Sequence, residues 1–141
     1  MPPKILLAEN DASVRDTLGR VLESEHYIVT FAATGRDAAE EFFADIPDLV
    51  LLDLDMLNQG DWDVFGVMRQ MHPLIPVVVI TAKSQPLKRA SDFGIDALME
   101  KPLHLPLLLA TIADLMAEPG TERLSQKKDP GFKTLYLENR P

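Results

Sequence analysis

Short runs of consecutive apolar residues alternate along this chain with stretches in which apolar residues recur every three or four positions. The runs fall at residues 5–8, 27–32, 49–52, 77–80 and 97–99. The third and fourth are almost wholly apolar, as strands buried on both faces of a sheet must be. Between them Val14, Leu18, Val21 and Leu22 share one helix face, as do Ala38, Ala39, Phe42 and Phe43. The helical spacing returns in Phe65, Met68 and Met71, in Leu87, Ala90 and Phe93, and in Leu108, Leu109, Ile112, Leu115 and Met116. Five strands alternating with five helices predict an α/β domain with a mostly parallel sheet, whose right-handed crossovers put helices on both faces. In such sheets the functional crevice lies beyond the carboxyl ends of the strands.

Polar residues collect at those ends. The first run is followed by Glu9, Asn10 and Asp11, the third by Asp53 and Asp55, the fourth by Thr81, Ala82 and Lys83, and the fifth by Glu100, Lys101 and Pro102. Taken singly, each acid is explained by capping of the helix that follows, with Asp11 in an N-cap position. Taken together, they put carboxylates, a hydroxyl and a lysine at one edge of an apolar sheet. Clustered carboxylates repel unless a cation or shifted pKa values relieve them, and an all-oxygen set suits Mg²⁺ or Mn²⁺. Asp53, leaving a buried strand, is placed to attack a phosphoryl group while Lys101 and a metal neutralise its oxygens.

Composition narrows the function classes. The 141 residues are 46% hydrophobic and 26% charged, which suits one globular domain rather than a disordered chain. The formal charge of −8 argues against direct nucleic-acid binding, which needs clustered Lys and Arg. Residues 1–118 hold 19 acidic and 9 basic side chains, whereas 119–141 hold 3 and 5. This shift, beside Pro119 and Gly120, predicts a folded domain over 1–118 and a flexible or partner-docked extension over 119–141. Within the extension the apolar group from Phe132 to Leu137 fits a docked helix, an added strand or an unstructured tail. Having no cysteine excludes disulfides and thiolate chemistry. With no signal peptide and no apolar run long enough to span a bilayer, the expectation is a soluble cytoplasmic protein with no membrane partner. His26, His72 and His104 are isolated and do not form a metal-ligand set.

The ordered set Glu9-Asn10-Asp11, Leu51-Leu52-Asp53-Leu54, Val79-Ile80-Thr81-Ala82 and Lys101-Pro102 resembles the receiver domain of two-component response regulators. The resemblance covers roughly residues 4–117, including Gly94 seven positions before the lysine. It implies a doubly wound five-stranded parallel sheet of order 2-1-3-4-5. It also implies a signalling domain, not an enzyme, that accepts a phosphoryl group from a histidine kinase or phosphotransfer protein. By position Asp53 is the phosphoacceptor, Thr81 the switch hydroxyl and Lys101 the phosphate-contacting lysine. Glu9, Asn10, Asp53 and the backbone carbonyl of Asp55 are the implied Mg²⁺ ligands, and the Lys101–Pro102 bond is expected to be cis. The length implies a stand-alone receiver without a DNA-binding output domain. The surface formed by residues 85–117 is the implied homodimer or target contact.

Departures from the family pattern are equally specific. Asn10 stands where the family has an acidic metal ligand, which removes one charge and weakens Mg²⁺ binding. Leu57 replaces the usual proline, and Gly60-Asp61 is displaced by one position from the usual Asp-Gly. Leu98 stands where the family has its switch aromatic, so it offers no ring to fill space when Thr81 moves. The resemblance implies that Asp55 and Lys83, each two residues beyond a site residue, tune the lifetime of the phosphorylated state. They do so either as an ion pair that screens the site or through Asp55 acting on water. Asn10 and Leu98 keep a second reading open, a pseudo-receiver that binds partners without phosphorylation. In a third, Asp53 and Asp55 resemble the D-x-D motif of haloacid-dehalogenase-type phosphatases.

Overall fold

The apolar runs become strands because the sheet buries them, those at 49–52 and 77–80 completely, whereas the edge strand at 28–32 leaves Ile28 and Phe31 exposed. The computed structural model describes residues 2–82, 94–118 and 134–137. The elements are β1 (Lys4–Ala8), α1 (Ala12–Ser24), β2 (Ile28–Ala32), α2 (Gly35–Ala44), β3 (Leu49–Asp53) and a 3₁₀ turn over Leu54–Met56. They continue with α3 (Gln59–Met71), β4 (Val77–Thr81), β5 (Ala97–Glu100), α4 (Leu105–Ala117) and β6 (Leu135–Leu137). The helical pattern Leu87, Ala90 and Phe93 lies outside the described residues, so the pattern beginning at Leu108 falls in α4.

All strand pairs are parallel, in the order β2-β1-β3-β4-β5-β6. The period-two alternation of a strand divides the apolar residues between two cores. Leu6, Ala8, Val50, Leu52, Val77, Val79 and Leu98 face one side, with Ala38 and Phe42 of α2 and Phe65 and Met68 of α3. Ile5, Leu7, Leu49, Leu51, Val78, Ile80 and Met99 face the other, with Leu18 and Leu22 of α1 and Leu108 and Ile112 of α4. The doubly wound expectation and the 2-1-3-4-5 order both hold.

The sheet nevertheless has six strands rather than five. Leu135 and Leu137 pair with Ala97 and Met99, and the Thr134 hydroxyl donates to the Ile95 carbonyl at 2.7 Å. The outer edge of β5 offers unpaired N–H and C=O groups, and Leu137 adds an apolar side chain 4% exposed against the core formed with α1 and α4. This strand covers the β5 edge, part of the surface expected to receive a partner. Leu103, Leu105, Leu107 and Leu109 are half-buried against that same core, so the leucine-rich segment mainly serves packing. Leu137→Ala is expected to cost about 2–4 kcal/mol in urea unfolding, as a buried leucine truncation does. A change below about 0.5 kcal/mol would show that β6 does not hold to the sheet in solution.

Helix starts follow local chemistry. Asp11 caps α1, its carboxylate accepting from Ser13 N at 2.9 Å and Val14 N at 3.2 Å. Asn58 and Asp61 form a reciprocal capping box at the start of α3, each side chain accepting from the other's backbone N–H at 3.0 Å. The displaced Gly60-Asp61 is thereby explained, since Asp61 is the third residue of the helix. His104 caps α4 and His72 packs its ring edge-on against Phe42. Among the described residues no helix is long and apolar enough to cross a membrane.

Candidate functional site

Four strand ends bring the site together. Glu9 N–H donates to the Ala32 carbonyl at 2.9 Å, which carries the β1 path one residue beyond its strand and turns Glu9 inward to complete burial. Asn10 then faces solvent and Asp11 starts α1. Asp53 is the last residue of β3 and Thr81 the last of β4, each 1% exposed. Lys101 follows β5, where its N–H donates to the Thr81 carbonyl at 2.8 Å, and the Lys101–Pro102 bond is cis as the resemblance implies. Its ammonium reaches back to Asp53 Oδ2 at 3.0 Å. Asp53 Oδ1 meanwhile accepts from Asp55 N at 2.9 Å, fixing the carboxylate against the 3₁₀ turn.

The electrostatics centre on a carboxylate pair with one cation. Burial, followed by the neighbouring Asp53 carboxylate, raises the Glu9 pKa to about 7, although Lys101 and the Asp11 N–H oppose the shift. Glu9 Oε2 is buried without a hydrogen-bond donor. Burial lowers the Lys101 pKa, but its hydrogen bond and charge contact with Asp53, aided by Glu9 and Asp55, more than reverse this and hold the ammonium protonated.

The expected pairing of Asp55 with Lys83 lies outside the described residues, but the other contacts of Asp55 are clear. Its Oδ1 accepts from the Thr81 hydroxyl at 2.8 Å and its Oδ2 from Ala82 N at 2.7 Å, with Lys101 Nζ 3.6 Å from the latter oxygen. Burial raises the Asp55 pKa, but the Ala82 N–H, the Thr81 hydroxyl and Lys101 outweigh it and hold the carboxyl below the usual range. Two participants carry no signal in the residue pattern. Ala82 acts through its backbone, and Arg15 donates from Nη1 to the Glu9 carbonyl at 2.9 Å, bracing the turn after β1.

The donor set fits a hard cation in part. The partnerless Glu9 oxygen beside Asp53 is what such an ion relieves. Among the described residues no three acidic or imidazole side chains are arranged to hold a metal. The remaining oxygens are the neutral ones, from Asn10 and the Asp55 carbonyl. Leu98 is 1% exposed and belongs to the core shared with α2 and α3.

Comparison with known proteins decides the family, because the sequence model of the response regulator receiver domain matches residues 5–113. The chain belongs to the response regulator receiver domain family. It is 34% identical over 118 residues to the response regulator MprA of Mycolicibacterium vanbaalenii, covering 82% of this chain and 51% of that protein. Its counterpart in Mycobacterium tuberculosis is 29% identical over 140 residues, covering 98% of this chain and 61% of that one. The chain thus spans about half to three-fifths of these relatives' length. Among solved structures, the non-phosphorylated HemR receiver domain of Leptospira biflexa superposes with a TM-score of 0.73 at 28% identity, covering 82% of this chain and 95% of that one. The response regulator TrrA of Thermotoga maritima, solved in complex with Mg²⁺-BeF, does so with a TM-score of 0.72 at 26% identity, covering 82% and 99%. The D-x-D sequence of Asp53 and Asp55 therefore lies in a receiver fold.

Proposed function

We propose that this receiver accepts a phosphoryl group on Asp53 from a histidine kinase or phosphotransfer protein and signals by protein–protein contact. The observation that carries this reading is Asp53 itself, buried at the end of β3 with the Lys101 ammonium at 3.0 Å. An Asp53 oxygen attacks phosphorus as the P–N bond of the donor phosphohistidine breaks and its electron pair returns to the imidazole. Lys101 balances negative charge gathering on the phosphoryl oxygens, and the Thr81 hydroxyl donates to one of them. Glu9, Asn10, Asp53 and the Asp55 carbonyl are the residues that would hold Mg²⁺, which supplies further charge neutralisation when bound. With Asn10 neutral, its affinity is expected to be lower than in a site with a second acid at that position. The receiver unit is residues 1–118, to which the extension contributes an edge strand. The exposed side of α4 is the remaining candidate for a second copy or a target protein.

Incubation with a small phosphodonor and Mg²⁺, followed by intact mass, tests the reading. One phosphate-sized gain is expected in the wild type and none in Asp53→Ala. No gain at high Mg²⁺ would favour a pseudo-receiver, and turnover of a phosphomonoester beyond one equivalent would favour phosphatase chemistry.

A further inference from the structure

The Asp55 carboxylate sits on donors that a phosphoryl group on Asp53 would need. Thr81 Oγ1, Ala82 N and Lys101 Nζ converge on its two oxygens at 2.8, 2.7 and 3.6 Å, and Lys101 also holds Asp53. A carboxylate and a phosphoryl group present the same features to such donors: oxygens spaced for two hydrogen bonds and negative charge for the ammonium. The short connection makes this possible, because the 3₁₀ turn that starts directly after Asp53 aims Asp55 back across the strand ends. At 22% side-chain exposure Asp55 has a solvent-facing side toward which it can leave.

We propose that Asp55 is the resident occupant of the anion seat formed by the Thr81 hydroxyl, the Ala82 N–H and the Lys101 ammonium, and that an incoming phosphoryl group must displace it. The inference rests on the phosphoacceptor reading of Asp53. Asp55 is thus a positioning residue that presets Thr81 toward the site before any phosphoryl group arrives. Burial of Leu98 fits this arrangement, since a hydroxyl already drawn inward requires no side chain to move behind it. Displacement exchanges one set of charge-assisted bonds for another, so Asp55 slows phosphorylation without preventing it.

The full chain tests this with two readouts. In the Asp55→Ala protein the Ala82 amide proton is expected to shift upfield and to exchange faster with solvent, with no phosphodonor present. The rate of Asp53-dependent mass gain is expected to rise about tenfold, the scale of a lost hydrogen bond to a charged group. That rise must persist in 1 M salt, where through-space repulsion is screened beyond about 3 Å. Asp55→Asn is expected to fall between wild type and Asp55→Ala, because its amide can still bond Ala82 N–H and the Thr81 hydroxyl while the charge facing Lys101 is gone. An unchanged Ala82 amide, or equal rates with Asp53-dependent gain in both proteins, overturns the inference and leaves the phosphoacceptor reading standing. Failure of wild type and both variants to gain mass overturns the phosphoacceptor reading, and the displacement step with it.

Discussion

Lys101→Met is expected to destabilise the domain by about 3 kcal/mol near pH 7.5 and to slow phosphorylation of Asp53 at least a hundredfold. Both effects have the same origin. The ammonium lies 3.0 Å from Asp53, which is 1% exposed, and its charge also acts on Glu9 and Asp55. Removing one partner of a buried ion pair leaves the other charge without compensation, at a typical cost of about 3–5 kcal/mol. The lower end applies because Lys101 is itself 29% exposed and methionine still packs the aliphatic stem. The penalty should shrink as pH falls from 7.5 toward 5, because Glu9, whose pKa is raised to about 7, takes up its proton across that interval. Phosphorylation suffers separately, because losing one preorganised donor to developing charge typically costs about 10²–10³ in rate. Urea unfolding at the two pH values and timed intact-mass measurements check the two parts. A stability loss below about 1 kcal/mol at pH 7.5 would mean that the Asp53 carboxylate is compensated without the lysine.

The sequence carried the fold where apolar runs and helical spacing left one solution. β3 and β4 are apolar on both faces because each side of the sheet has its own core, and Leu49 to Leu52 alternate between them. Asp53, Thr81 and Lys101 could be placed because each lies at or just beyond the carboxyl end of a strand, where the parallel topology gathers them. Asp11 as a cap was equally readable from its position before the α1 pattern. β6 was harder, since three residues beyond a Pro- and Gly-containing stretch have no periodicity of their own. Their conformation comes from the open edge of β5 and the burial of Leu137. The seat under Asp55 was harder still, because one of its donors is the Ala82 N–H, and a backbone group leaves no residue signature. The contacts of the Asp55 carboxylate with Thr81, Ala82 and Lys101 come from the turn after β3, which no spacing of charged residues reveals. Arg15 carries no residue signature for a related reason, since it acts on the carbonyl of Glu9 rather than on a side chain.

Glu9→Gln is expected to make the metal-free protein more stable than wild type at pH 8, and less able to gain stability from Mg²⁺. Burial and the Asp53 carboxylate raise the folded-state pKa of Glu9 to about 7 from a reference of 4.5. Between those values the folded protein holds a proton that the unfolded chain releases, so the Glu9 contribution to stability falls as pH rises through this window and levels above it. The glutamine of the variant has no proton to lose, and its amide can donate to Asp53 as protonated Glu9 does. The advantage of the variant should therefore be small near pH 4 and grow to a few kcal/mol by pH 8, at about 1.4 kcal/mol per pK unit. Mg²⁺ should narrow the gap, because a cation held by Glu9 and Asp53 would stabilise the folded state by RT ln(1 + [Mg²⁺]/Kd), and only the ionised carboxylate would serve it well. The wild type should accordingly gain most from Mg²⁺ above pH 7, while Glu9→Gln gains less at every pH. Thermal or urea unfolding from pH 4 to 8, with chelator and with 10–20 mM Mg²⁺ (roughly the range that reveals a weak site), separates these effects. Parallel pH profiles for the two proteins with chelator would show that Glu9 binds its proton no more tightly in the folded protein than in the unfolded chain.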